Sequence, residues 1–191
     1  MRIATVERKT KETDILLKLD LDSQGADIVT GIGFFDHMLC AFATHAGINL
    51  YIRAKGDIEV DGHHTVEDIG IALGRAFKEA LGNKAGIVRF ADCFLPMDEA
   101  LAFAALDISG RSFLDYESRF IESFCGDYET ALTEEFLRAL AFNAEITLHV
   151  KCMYGSNAHH KTEAIYKAVA RCLRNAIKIE GSAVPSSKGT L

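Results

Sequence analysis

Two short segments of this chain carry residues spaced for chemistry. Residues 61–82, "DGHHTVEDIGIALGRAFKEALG", and residues 157–176, "NAHHKTEAIYKAVARCLRNA", each contain two adjacent histidines followed by a glutamate. Neighbouring residues on a helix project about 100° apart, so His63 and His64 cannot converge on one atom. Glu67, four residues after His63 and three after His64, can share a face with either ring. His159, His160 and Glu163 repeat the arrangement. Four of the seven histidines sit in these doublets, which a capping or surface role for lone histidines does not explain. Two imidazoles and a carboxylate per segment form a donor set for a first-row transition metal. Because each pair of rings diverges, each doublet is expected to supply one ring to each of two centres.

The doublets lie in a longer repeat. At an offset of 96 residues, Ile69 meets Ile165, Ala72 meets Ala168, Arg75 meets Arg171 and Leu81 meets Ile177. Upstream, "DHMLCAFATHAGINLYIRA" matches "EEFLRALAFNAEITLHVKC" at an offset of 98, the difference needing only a two-residue change in one loop. The chain is an internal duplication whose halves meet near residues 85–95. The repeat sets His37, ahead of the first doublet, against Glu135, ahead of the second. Both are further metal-ligand candidates. His45 and His149 have no histidine counterpart.

Each half reads as strands, a helix, a strand and a second helix. In the first half, "TDILLKLDL" reads as a strand, "GFFDHMLCAFATHA" as a helix, "NLYIRAKG" as a strand and residues 64–81 as a long helix. In the second, "EALAFAALDIS" and "RSFLDYES" read as strands, followed by helix 130–142, strand 145–153 and helix 159–179. Gly82 and Gly181 are the expected helix stops. With no linker of Pro, Gly and Ser between them, the halves (about 1–90 and 91–180) are expected to pack as one α+β domain, followed by a tail, 181–191.

Other metal motifs do not fit. HExxH is absent, and HxxEH fails because Asp68 and Ala164 follow the glutamates. A di-iron bundle would place glutamate first in ExxH, on four long helices without intervening strands.

A net charge of −6, with no basic tract interleaved with aromatics, argues against a nucleic-acid partner. Five cysteines without a CxxC spacing suit reduced thiols. No apolar run reaches membrane-spanning length and the start lacks a signal-peptide core, so the expectation is a soluble cytoplasmic protein with no membrane partner. In the tail, Ser186, Ser187 and Lys188 on a flexible backbone could hold a phosphate, and Arg89 and Arg111 are further anion ligands near strand ends.

"VDGHHTVEDIGIAL" and "GSNAHHKTEAIYK", with "KET", "FFDHML", "GRSF" and "PSSKG" in the same order, resemble the signature segments of the imidazoleglycerol-phosphate dehydratase family. The resemblance covers nearly the whole chain. It implies a duplicated fold like ribosomal protein S5 domain 2 and the conversion of imidazole glycerol phosphate to imidazole acetol phosphate and water in histidine biosynthesis. It further implies two manganese ions per active site and a homo-oligomer of twenty-four subunits with sites between them. The implied metal ligands are His37, His63, His64, Glu67, His159, His160 and Glu163. Glu135 stands where the family has a histidine, and a carboxylate is a harder donor suited to manganese.

Binding both ring nitrogens would favour an imidazolate able to expel the adjacent hydroxyl. The diazafulvene-like product then loses the neighbouring proton to give an enol, which becomes the ketone. The resemblance makes Glu12, in "KET", the base, and His45 is placed with it in the catalytic group. Arg89, Arg111, Ser186, Ser187 and Lys188, with Lys167, would hold the phosphate and so orient the ring.

Overall fold

The computed structural model describes residues 1–189 and 191. Three strands, β1 (Ile3–Lys9), β2 (Thr13–Asp20) and β3 (Gly25–Val29), are followed by α1 (Gly33–Ala46), β4 (Asn49–Gly56) and α2 (His63–Leu81). The second half repeats the series with β5 (Phe90–Met97), β6 (Ala100–Asp107) and β7 (Phe113–Glu117), then α3 (Leu132–Ala144), β10 (Thr147–Tyr154) and α4 (Ala158–Ala176). A small hairpin, β8 (Phe124–Cys125) and β9 (Tyr128–Glu129), is inserted before α3. The sheets have matching orders, β1-β2-β4-β3 and β5-β6-β10-β7, each with one parallel pair at the β3 or β7 edge.

Alternation decides which face of each strand is buried. In β2, Ile15, Leu17 and Leu19 point inward, and in β10 Leu148 and Val150 do so. The helices cover these inner faces and cross between halves, α1 packing on α4 and α2 on α3. One continuous core results, running from Leu17 and Leu50 through Phe42 and Phe136 to Val169.

Two glycines set the α2–α3 spacing. A Cβ on Gly70 would stand 2.7 Å from the Ala139 Cβ and 2.8 Å from the Phe136 carbonyl oxygen, and one on Gly74 would stand 2.7 Å from the Leu140 carbonyl oxygen. Only hydrogen fits, so the backbones approach closely.

Contacts advance together along both helix pairs, from Gly62–Leu132 to Gly74–Leu140 and from His37–Glu163 to Gly47–Arg174. Each pair is therefore parallel. Ile32 beside Gly62, and Phe34 beside His159, bring all four N-termini to the same end of the layer.

The structure corrects several boundaries. The loop before α4 is two residues shorter than the one before α2, counted from strand end to doublet, as the offsets require. Gly82, with φ of 53°, follows α2 as expected. Gly181 does not end α4, which stops at Ala176. There the Ala176 and Lys178 carbonyls accept hydrogen bonds from Arg89 and Val88, and Ile179 forms a bridge with Ile87, drawing the chain out of the helix. β1, β3, β5 and the β8–β9 hairpin add to the expected strands.

Candidate metal centre and anion cradle

The start of α1 is fixed from the other half. Ile32 offers no capping side chain, and Asp127, in the β8–β9 turn, accepts hydrogen bonds from the Gly33 and Phe34 N–H groups at 2.6 and 3.0 Å. Burial works against the charge on Asp127, yet these N–H donors hold its carboxyl below the usual range. His37, one turn further on, faces α4. Its Nε2 lies 3.6 Å from Glu163 Oε2, which is 3.1 Å from His159 Nε2.

One donor atom from each of His37, His159 and Glu163 falls within a common 4.8 Å span. Edges near 3 Å are expected between ligands of an octahedral divalent ion at about 2.1 Å, so these residues fit a metal. Glu163 is 9% exposed, and its Oε1 accepts from Lys167 Nζ at 2.5 Å. Burial opposes its charge, but the Lys167 ammonium and the His159 ring hold its carboxyl below its ordinary value. His45, half-buried on the last turn of α1, is pushed downward by burial and then by the nearby Lys167 and Arg171 cations, which favours a neutral ring.

The doublets diverge as their spacing requires, with rings 6.3 Å apart at 84° for His63–His64 and 6.0 Å apart at 76° for His159–His160. His64 Nδ1 lies 3.1 and 3.2 Å from the two Asp57 oxygens, and its Nε2 is 3.9 Å from Glu12 Oε1. His160 Nδ1 lies 2.7 Å from Glu99 Oε2, and its Nε2 is 3.6 Å from Asp98 Oδ2. The hydrogen bonds to Asp57 and Glu99 come first among the causes that raise these two ring pKa values.

The tip bearing Glu12 is tied to α2 by buried contacts. Thr13 Oγ1 donates to Asp68 Oδ2 at 2.5 Å, and Arg8 Nη2 meets Asp68 Oδ1 at 2.6 Å. Glu67 is half-buried, and Glu135 lies 4.0 Å from Arg138 on its own helix. Within the described residues of one chain, His63, Glu67 and Glu135 do not close a second cluster like that of His37.

The anion ligands gather elsewhere. Arg89, Ser109, Arg111, Ser186, Ser187, Lys188 and Leu191 line a cleft of ≈ 320 Å³. Asp107 organises it, accepting from Arg89 Nε and Nη2 at 2.7 and 3.1 Å and lying 3.9 Å from Arg111 Nη2. The Pro185 carbonyl accepts from Arg89 Nη1 at 2.8 Å, anchoring the tail. Arg89 adopts a φ of 78°, a strained conformation of the kind that concentrates at functional sites. Lys167 is the exception among the expected phosphate ligands, since it sits on Glu163 and not in this cleft.

Cleft and cluster lie at opposite ends of α4. The Arg89 N–H bonds Ala176 at the C-terminal end, whereas His159 begins the helix. At 1.5 Å per residue, the two are separated by about 25 Å.

Sequence reasoning missed Asp57, Glu99, Asp107 and Asp127. Each lies on a loop or strand end, Glu99 next to Asp98, without a spacing that signals a partner.

These features define a duplicated α+β protein with a histidine–carboxylate cluster at one end and a cationic cleft at the other. Comparison with known proteins makes the class specific. A sequence model described as "Imidazoleglycerol-phosphate dehydratase" matches residues 30–173. The chain is similar to imidazoleglycerol-phosphate dehydratases of Methanosarcina mazei, 54% identical with both chains covered in full, and Clostridium novyi, 56% identical over 96% of this chain and 95% of the relative. Crystal structures of the Staphylococcus aureus and Pyrococcus furiosus enzymes superpose with TM-scores of 0.85 at 38% and 37% identity. They cover 93% and 97% of this chain, and 99% and 100% of their own. The chain belongs to the imidazoleglycerol-phosphate dehydratase family, hydro-lyases of histidine biosynthesis.

Proposed function

We propose that this chain catalyses the manganese-dependent dehydration of D-erythro-imidazole glycerol phosphate to imidazole acetol phosphate in the cytoplasm. The observation that carries the proposal is the convergence of His37, His159 and Glu163 donor atoms, drawn from both halves, within 4.8 Å. His63, His64, Glu67, Glu135 and His160 are the remaining ligands proposed for two manganese ions per site. Bound manganese supplies Lewis acidity that lowers the pKa of the substrate's imidazole ring.

The substrate's leaving hydroxyl is on the carbon beside the ring, and the proton to be removed is on the next carbon. Glu12, exposed at the β1–β2 tip and facing His64, takes that proton. His45, pushed toward its neutral form by burial and then by the Lys167 and Arg171 cations, completes the proposed catalytic group. Arg89, Arg111, Ser186, Ser187 and Lys188 bind the phosphate, which sets the ring's position. Lys167 acts from the other end of the substrate's site, through Glu163.

Three carbons between ring and phosphate span only a fraction of the roughly 25 Å between cluster and cleft. One chain therefore cannot hold both ends of the substrate, which supports a homo-oligomer, proposed as a 24-mer, with each site shared between subunits. Phe90, Phe94 and Phe113, exposed by 57%, 59% and 49% on the outer face of the second sheet, are consistent with burial against another copy.

A turnover assay on metal-stripped protein, before and after manganese is added, tests the chemistry. Ketone product appearing only with metal supports it. Phosphate release in place of dehydration would replace it with a metal-dependent hydrolase.

A further inference from the structure

Each doublet holds its second histidine in the same way, but with acids from non-equivalent places. His64 Nδ1 faces Asp57, in the loop between β4 and α2. His160 Nδ1 faces Glu99, in the tight turn between β5 and β6. At the two offsets of the duplication, 96 and 98 residues, the counterparts of Asp57 are Met153 and Gly155, neither of them an acid. The β5–β6 turn corresponds to the β1–β2 turn, which carries Glu12 on the Nε2 side of His64. The carboxylate on Nδ1 was therefore not simply copied with the repeat. Two different loops supply one contact at two related rings.

A neutral imidazole has one N–H and one lone pair, and a carboxylate at Nδ1 accepts that N–H. The proton is thereby kept on Nδ1, and the lone pair on Nε2 is directed away from the carboxylate, toward the side where Glu12 or Asp98 stands. Asp57 has no other side-chain partner among the described residues, so its carboxylate serves His64 alone. Glu99 is more heavily used, since its Oε1 also accepts from the N–H groups of Ser156 and Asn157 at 3.1 and 2.8 Å. That bracing ties the β5–β6 turn to the start of α4 and fixes where Oε2 meets His160.

We propose that Asp57 and Glu99 are positioning residues that lock His64 and His160 in the Nδ1–H form and present Nε2 of each ring to manganese. The proposal rests on the manganese reading above.

Manganese titration of the metal-stripped, full-length protein, followed by the electron paramagnetic resonance signal of free ion, tests it without turnover. Wild-type protein is expected to bind tightly, and Asp57→Ala and Glu99→Ala to weaken binding by about 10- to 100-fold. Asp57→Asn and Glu99→Gln, whose amide oxygens still accept the Nδ1–H, are expected to recover a large part of that loss. Since Glu99→Ala also loosens the start of α4, Asp57→Ala is the deciding variant, with its metal-free melting curve recorded alongside. Wild-type affinity in Asp57→Ala overturns the inference, as does weakened affinity that Asp57→Asn fails to recover. Failure of the wild-type protein itself to bind manganese overturns the underlying reading and the inference with it.

Discussion

His37 Nε2 and Glu163 Oε2 lie 3.6 Å apart although α1 belongs to one half of the duplication and α4 to the other. The contact exists because the helices pair across the halves, so neither half could form this cluster alone. The α2–α3 pairing sets the first doublet against Glu135, the repeat counterpart of His37, although within one chain their donor atoms do not close a like cluster among the described residues.

Glu135→Ala should bind fewer manganese ions per chain than wild type, and Glu135→His should restore the number. Metal analysis of dialysed protein gives the counts. Unchanged metal content and turnover in Glu135→Ala would remove Glu135 from the ligand set.

Glu12→Gln keeps the shape of the β1–β2 tip and removes the carboxylate proposed as the base. Its kcat should fall by about 10²- to 10⁴-fold, the range for loss of a general base, with KM little changed. Steady-state kinetics on the manganese-loaded enzyme decide this, and full activity would exclude Glu12 from proton removal.

Gly70→Ala introduces a methyl group where Ala139 Cβ and the Phe136 carbonyl would be 2.7 and 2.8 Å away. Overpacking of this kind costs about 1–3 kcal/mol. Urea unfolding should show the loss as a lower midpoint with an unchanged slope.

Burial was legible where pattern and local signals agreed. α1 and β4 coincide with the segments read from sequence, because an apolar stripe or alternation runs unbroken between Gly33 and Gly56. β3 and β5 escaped notice for physical reasons. β3 is a short edge strand with one buried residue, and β5 carries Phe90 and Phe94 on its exposed face, which blurs the alternation. The sequence pattern carries α4 past Ala176 because what stops the helix is the distant segment 86–89, not a local glycine. The histidines were legible because the duplication wrote them twice. Asp57, Glu99 and Asp107 occur once each and gain their partners only when the chain folds.

Glu99 also gives a pH signature. N–H donation from Asn157, then the bond to His160, lowers its pKa to about 2. A carboxyl depressed in the folded state adds stability above its unfolded pKa, near 4.3, and that stability is lost as pH falls through about 2. Melting temperatures of metal-free wild type and Glu99→Gln should therefore differ at pH 5 to 6 and converge as pH drops across that window. A constant difference down to the lowest pH would show that the charge on Glu99 contributes nothing.

The most direct test of a site shared between subunits is complementation between two inactive chains. One chain carries His37→Ala and Glu163→Gln, which remove the proposed metal ligands. The other carries Arg89→Ala and Lys188→Ala, which strip the cationic cleft proposed to hold the phosphate. Co-expressed and purified together, they should regain roughly a quarter of wild-type turnover, since random assembly pairs an intact cluster with an intact cleft at that frequency. Mixed oligomers as inactive as either parent would contradict the shared site and place both ends of the substrate on one chain.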